Sequence, residues 1–222
     1  MNALSAPELA RRVTLFHLAD VPAQPWRNGG GVTREIWVQP GGGMRAAQRV
    51  LQTFPWEGRV SVADNVQPGP FSTFAGVERQ ALLLHGSGLE LHGAPDAGVL
   101  RWGQPGDCQR FAGEAGLHSQ LPHGPARLLN VMTRRGHAEA ELAWHAGPVG
   151  TSLGLHEQAV CVLLVAAGRW RVGLKTADSA ASVAAYELGA DSGLRIVGVR
   201  GRIHLQGLQP DSTLAQVVLV KS

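Results

Sequence analysis

Apolar and polar residues alternate in short runs along most of this chain, and glycine-rich turns separate the runs. That is the pattern of half-buried strands, not of helices. Ala81-Leu-Leu-Leu-His-Gly-Ser-Gly-Leu-Glu-Leu-His-Gly93 reads as two such strands around a turn, and Val162-Leu-Leu-Val-Ala-Ala-Gly-Arg-Trp-Arg-Val-Gly173 has the same form. Each is expected to be a hairpin. A second turn follows each one, Trp102-Gly-Gln-Pro-Gly-Asp107 and Leu188-Gly-Ala-Asp-Ser-Gly193. Each half closes on a long strand, Arg127–Arg135 and Thr213–Lys221, in which Asn130 and Gln216 hold equivalent places. The ordered repeat predicts an all-β chain of two barrels, residues 1–136 and 137–222, and allows strands to be exchanged between the halves. A single large sandwich is the alternative. Helix is scarce: Ser5-Ala-Pro-Glu8 has the spacing of a capping box and starts at most one turn, and the Ala-rich Ser179 to Tyr186 suits a short helix or an extended strand.

Composition narrows the class. Among 222 residues, 44% are hydrophobic and 17% charged, with 29 Gly and 13 Pro; this fits many short strands joined by tight turns and excludes global disorder. The formal charge is +3, and the 18 Arg and 2 Lys are scattered with no basic tract, so nucleic acid is not an expected partner. The longest apolar run, Ala159 to Ala167, is under half of the roughly 20 residues a spanning helix needs, so no membrane partner is expected. The stretch after Arg11 and Arg12 is interrupted by His17 and Asp20, which leaves no secretory core and makes the cytoplasm the expected location. Cys108 and Cys161 lie in strand contexts outside any Cys-x-x-Cys and read as reduced structural thiols. No two of the nine His lie two residues apart, so the His-x-His pair of a metal-binding barrel is absent and neither metal nor other cofactor is expected.

The most unusual text is Pro25-Trp-Arg-Asn-Gly-Gly-Gly-Val-Thr-Arg-Glu-Ile36. Three glycines free the backbone to approach a ligand: Gly29 to Gly31 can adopt positive φ and expose N–H groups to an anion, with Gly29 and Gly30 the expected contacts beside the amide of Asn28. The alternative is a flexible turn entering a strand. Alternation in that strand sets Val32, Arg34, Ile36 and Val38 on one face and Thr33, Glu35 and Trp37 on the other. Arg34 then needs a carboxylate such as Glu57, Glu78 or Asp107, or else an anionic ligand. In Trp56–Asp64 the same alternation puts Arg59, Ser61 and Ala63 on one side and Val60 and Val62 on the other, as in the wall of a polar cavity or, equally, with the polar side on an exposed outer face. The turn-dense Gln67–Arg79 supplies a rim, with Phe71 and Phe74 as a plug and Ser72 and Arg79 available to a pocket.

These residues carry a resemblance. Trp26-Arg-Asn-Gly-Gly-Gly with Thr33-Arg-Glu, then Arg59-Val-Ser-Val-Ala, Gly69-Pro-Phe-Ser, Gly76, Arg79, Pro105-Gly-Asp107 and Asn130-Val-Met132 look like the signature of the HutD/Ves family, in order. The likeness is dense from Leu15 to Gly136 and thin afterwards. It implies a bicupin, two cupin-like barrels or jelly rolls of the RmlC type, associated with bacterial histidine utilisation or, in the Ves branch, with stress. Two positions depart from the pattern: Ala75 stands where the family has Pro, and Leu128 where it has Asp.

The leading expectation is a metal-free binding protein with a regulatory role. Its ligand would be a small carboxylate such as urocanate or N-formylglutamate, held by Asn28, Gly29, Gly30, Arg34, Arg59, Ser61, Arg79 and Asn130, with the arginine forks on the carboxylate. One rival is a metal-independent isomerase or hydrolase using His85, His92 or Glu35 for proton transfer. Another is an interaction module whose sheet edge makes a homodimer.

Overall fold

The computed structural model describes residues 6–40, 56–94, 98–177 and 184–221. Its elements in chain order are a helix α1 (Ala6–Arg12), strand β1 (Val13–His17), β2 (Ala23–Pro25), β3 (Gly31–Pro40), β4 (Trp56–Asn65), β5 (Gly69–Pro70), β6 (Val77–His85), β7 (Leu89–Ala94), β8 (Gly98–Trp102), β9 (Cys108–Ala112), β10 (His118–Gln120) and β11 (Ala126–Arg134). There follow β12 (Ala138–Ala146), β13 (Gly150–Leu155), β14 (Ala159–Ala167), β15 (Arg169–Thr176), β16 (Ala184–Gly189), β17 (Ser192–Val197), β18 (Gly201–Gly207) and β19 (Thr213–Lys221). Ser5 and residues 179–183 of the Ala-rich stretch lie outside the described residues; Ala184–Tyr186 are strand. Among the described residues, no helix is long and apolar enough to cross a membrane.

The chain forms two compact units, Val21–Glu139 and a second made of the segment ending at Asp20 together with Ala140–Lys221. In the first, a six-stranded sheet in the order β2-β3-β4-β11-β6-β9 is matched with a four-stranded sheet β5-β10-β7-β8. In the second, a five-stranded sheet β1-β17-β14-β19-β12 accompanies β13-β18-β15-β16. Raising each strand number of β4-β11-β6-β9 and β5-β10-β7-β8 by eight gives the layout of the second unit, so the repeat read from the sequence is a repeat of topology. Asn130 pairs with Ala81 on β6, and Gln216 pairs with Leu163 at the same step of β14.

One expectation is corrected. The two segments read as hairpins are not hydrogen-bonded pairs: β6 and β7 belong to different sheets, as do β14 and β15. The Gly turns at Gly86 (φ +108°) and Gly168 (φ +68°) carry the chain from one sheet to the other. Two alternating strands around a glycine look the same in sequence whether they pair or cross. Crossing is what lets both inner faces point into one core.

That core in the first unit joins Leu83, Leu89, Leu91, Leu100, Trp102, Leu117 and Leu128. Trp102 is fully buried and its Nε1–H donates to the Ala81 carbonyl at 2.8 Å. Trp102→Phe removes this donor and some packing volume, and should lower stability by about 1–3 kcal/mol. A denaturant titration with an unshifted midpoint would show that the indole bond contributes nothing.

Candidate ligand-binding site

A cavity of about 510 Å³ opens in the first unit over one face of β4, β11 and β6. Residues directly opposite each other in an antiparallel pair share a face, and the register here stacks three rows. The first is Arg59, Met132 and Arg79; the second Ser61, Asn130 and Ala81; the third Ala63, Leu128 and Leu83. Cations stand in the outermost row, polar groups in the next, and the third joins the apolar core, so the wall grades from charged to dry.

Arg79 is the principal electrostatic feature. It is 5% exposed, with its guanidinium carbon over the rings of Phe71, Phe74 and Phe111 at 5.3, 5.5 and 5.0 Å from their centroids. Its Nη1 donates to the Ser72 carbonyl at 3.1 Å, and among the described residues no carboxylate pairs with it. Burial, reinforced by the charge of Arg59, pushes its pKa down to about 10, which leaves it charged at neutral pH. Arg79 Nε and Asn130 Oδ1 are buried polar atoms with no hydrogen-bond partner among the described residues. Ring faces favour a guanidinium but do not replace water's hydrogen bonds, so the wall holds unsatisfied bonding capacity of both senses.

Arg59 differs, because its Nε donates to Glu35 Oε2 at 2.9 Å. Glu35 reaches it through a feature that alternation hides. β3 pairs with β4 as Thr33↔Ala63 and Glu35↔Ser61, then shifts so that Trp37 faces Val60 and Val38 faces Arg59. Ile36 is the extra residue of a β-bulge. Thr33, Glu35 and Val38 therefore share the cavity face, whereas strict alternation had put Val38 with Arg34 and Trp37 with Glu35. Arg34 lies on the opposite face and is not in the cavity wall. Its partner is Asp64, at 2.5 Å, and none of the carboxylates the sequence suggested; Arg127 shares that Asp64.

The loop from β2 to β3 closes one side of the cavity. Trp26 is pinned by its backbone N–H to the Gly31 carbonyl at 2.9 Å and by its indole N–H to Thr33 Oγ1 at 2.8 Å. Asn28 Oδ1 accepts from Gly30 N at 3.0 Å, and Gly29 N donates to the Trp26 carbonyl at 3.0 Å. The N–H groups expected to bind an anion are thus already bonded within the turn, and Gly29 and Gly30 do not line the cavity. Gly29 holds a positive φ of +70°, and a Cβ on Gly31 would stand 2.1 Å from the Asp64 carbonyl oxygen; the glycines serve turn shape and close strand approach.

Of the residues singled out in the sequence, Asn28, Arg59, Ser61, Arg79 and Asn130 line one cavity. Sequence reading passed over Arg27, Trp26, Thr33 and Met132, which also line it, and took Phe71 and Phe74 as a plug when both are in its wall. The signal for Arg27 was its place between two residues of the motif. His85 is exposed at the end of β6, and His92 pairs with Glu90; neither reaches the cavity. Ala75 is exposed in the rim turn, and Leu128 is wholly buried in the third row.

Comparison with known proteins places the chain in a family. The family model HutD matches residues 18–214. The uncharacterized 21.2 kDa protein of the hutC 3′ region of Pseudomonas putida is 35% identical over 158 residues, 70% of this chain and 74% of that one. Protein Ves of Citrobacter koseri is 34% identical over 170 residues, 75% of this chain and 80% of its own. Among solved structures, HutD from Pseudomonas fluorescens SBW25 superposes with a TM-score of 0.73 at 24% identity, covering 95% of this chain and 99% of that one. At the level of fold alone, oxalate decarboxylase from Lactobacillus farciminis matches with a TM-score of 0.58 at 10% identity, covering 99% and 87%. The chain belongs to the HutD family, and its repeated two-sheet units have the cupin fold.

Proposed function

We propose that this protein binds a small carboxylate metabolite of histidine utilisation, urocanate or N-formylglutamate being the two candidates, without a metal, and that binding serves regulation. The observation that carries the reading is Arg79, a buried guanidinium on the wall of an open cavity that has no carboxylate partner among the described residues. Such a charge is costly to keep, and an incoming carboxylate would supply the missing counter-charge and bonds. Among the described residues lining the cavity there is no His, Cys, Asp or Glu, which favours binding over acid–base catalysis. The metabolic setting follows the family, and the Pseudomonas putida relative is named for its place beside hutC.

Calorimetric titration of both compounds in buffer containing a chelator tests the reading. At least one should bind, and Arg59→Ala should weaken it about tenfold, the effect of losing a partly screened charge contact. Absence of heat with both compounds on the native protein would sink the proposal.

A further inference from the structure

Open sheets end in strands whose outer backbone N–H and C=O groups can take up a further strand, and folded proteins ordinarily guard such edges with charge, proline or brevity. Most edges here follow that rule. β5 has two residues and ends in Pro70, and β2 has three and ends in Pro25. β8 carries Arg101, β9 Arg110, β12 Glu139 and Glu141, and β16 Glu187. β1 has no such residue but is walled at its ends by α1 and by the helical turn Leu18–Asp20. β13 has no guard. Among the described residues it pairs with β18 alone, and that register runs without a bulge. No charged side chain occurs from Ala146 to Leu155, and Pro148 lies outside the paired stretch. Gly150, Thr151, Ser152 and Gly154 are exposed, and Val149 just before them is 66% exposed.

We infer that β13 is a self-association edge, which pairs antiparallel with β13 of a second copy about a two-fold axis through Ser152. Opposed side chains of an antiparallel pair share a face, so a strand that meets its own copy does so with one residue on the axis. With Ser152 there, Gly150 falls opposite Gly154 of the second copy, Thr151 opposite Leu153, and Val149 opposite Leu155. The outer face then matches glycine with glycine and serine with serine, with no bulk to part the strands and no charge to repel. Ser152 Oγ is already bonded to His204 Nδ1 of its own chain at 2.7 Å. On the inner face Leu155 belongs to the core of the second unit and Leu153 packs against it, so Thr151 and Val149 of the second copy extend that row and Val149 gains the cover it lacks. The strand is its own complement in charge, bulk and apolar pattern, which makes a second copy the occupant.

Backbone pairing over so short a strand is a small interface, so the dimer is a weak one. Sedimentation velocity of the full chain over about 1–500 µM tests it, and the native protein should pass from monomer toward dimer within that range. Ser152→Lys sets like charges face to face at the axis and should weaken association at least about fivefold, as should Ser152→Glu. An equimolar mixture of these two variants should recover native or tighter association, because opposite charges then meet. Ser152→Ala gives up the same bond to His204 without adding charge, and Gln206→Lys adds the charge one strand inward; both should associate as the native protein does. A native protein that stays monomeric throughout would overturn the inference. So would a dimer that Ser152→Lys leaves at native strength, a mixture that associates no better than either charged variant alone, or loss of association in Ser152→Ala.

Discussion

Arg79→Met should abolish measurable carboxylate binding while leaving the protein as stable as before, or more stable. The two effects have one cause. Burial and the neighbouring Arg59 lower the pKa of this guanidinium to about 10, well below its ordinary value, so the charged form is worse off than in water by about 3 kcal/mol. The three phenylalanine rings return part of that, about 0.5–2 kcal/mol each where a cation is desolvated. Methionine fills similar space, keeps the contacts with the rings and needs no hydrogen bonds; exchanges of buried ionic groups for packed apolar ones are often neutral or stabilising. The Ser72 carbonyl that loses its donor belongs to an exposed residue and can turn to water. Binding loses its deepest charge, and truncating a buried charged partner costs about 2–5 kcal/mol, or roughly 30-fold to several thousandfold in affinity. Calorimetry and a denaturant titration on the same preparation decide it. A fall in stability of about 3–5 kcal/mol, the range for deleting a large packed side chain, would mean that Arg79 is a structural residue and that the cavity is not built around its charge.

Gly31→Ala should destabilise the protein by about 3 kcal/mol, the upper part of the usual range for overpacking. The added carbon would sit 2.1 Å from the Asp64 carbonyl oxygen and 3.1 Å from Cζ3 of Trp26. The first neighbour is backbone held in the β3–β4 ladder, so the strands must part where Gly31 faces Asn65. Gly29 is the built-in comparison. A Cβ there meets nothing within 4 Å, and alanine would incur only the strain of φ +70°, about 1–2 kcal/mol. Equal unfolding midpoints for Gly29→Ala and Gly31→Ala would show that close strand approach is not what the third glycine of the motif provides. Because Trp26 is the second obstacle, ligand affinity should also fall in Gly31→Ala, through displacement of the loop that carries Arg27 and Asn28.

Much of this was legible in the sequence because strand geometry is periodic. Alternation alone sets Arg59 with Ser61 and Ala63, and the ordered repeat announced the duplicated topology. Alternation does not supply pairing, however. That Arg79 and Asn130 come to the same wall depends on the register of β11 against two neighbours, which no single segment records. The turns at Gly86 and Gly168 were misread for the same reason, since partner choice is a property of the whole sheet. The N–H groups of Gly29 and Gly30 looked free until the side chain of Asn28 and the carbonyl of Trp26 were found bonded to them. Arg27 was overlooked because nothing about a lone exposed arginine is unusual until a cavity is found beside it.

The bulge at Ile36 leaves β3 with one residue to spare. An extended segment normally forgives substitution more readily than a change of length, and here one such change is the exception. Losing the codon for Ile36 would restore regular pleating and, with β3 anchored at Gly31, would still set Trp37 opposite Val60 and Val38 opposite Arg59. Gene lineages that drop this one residue should therefore keep both the barrel and the row that carries Arg59.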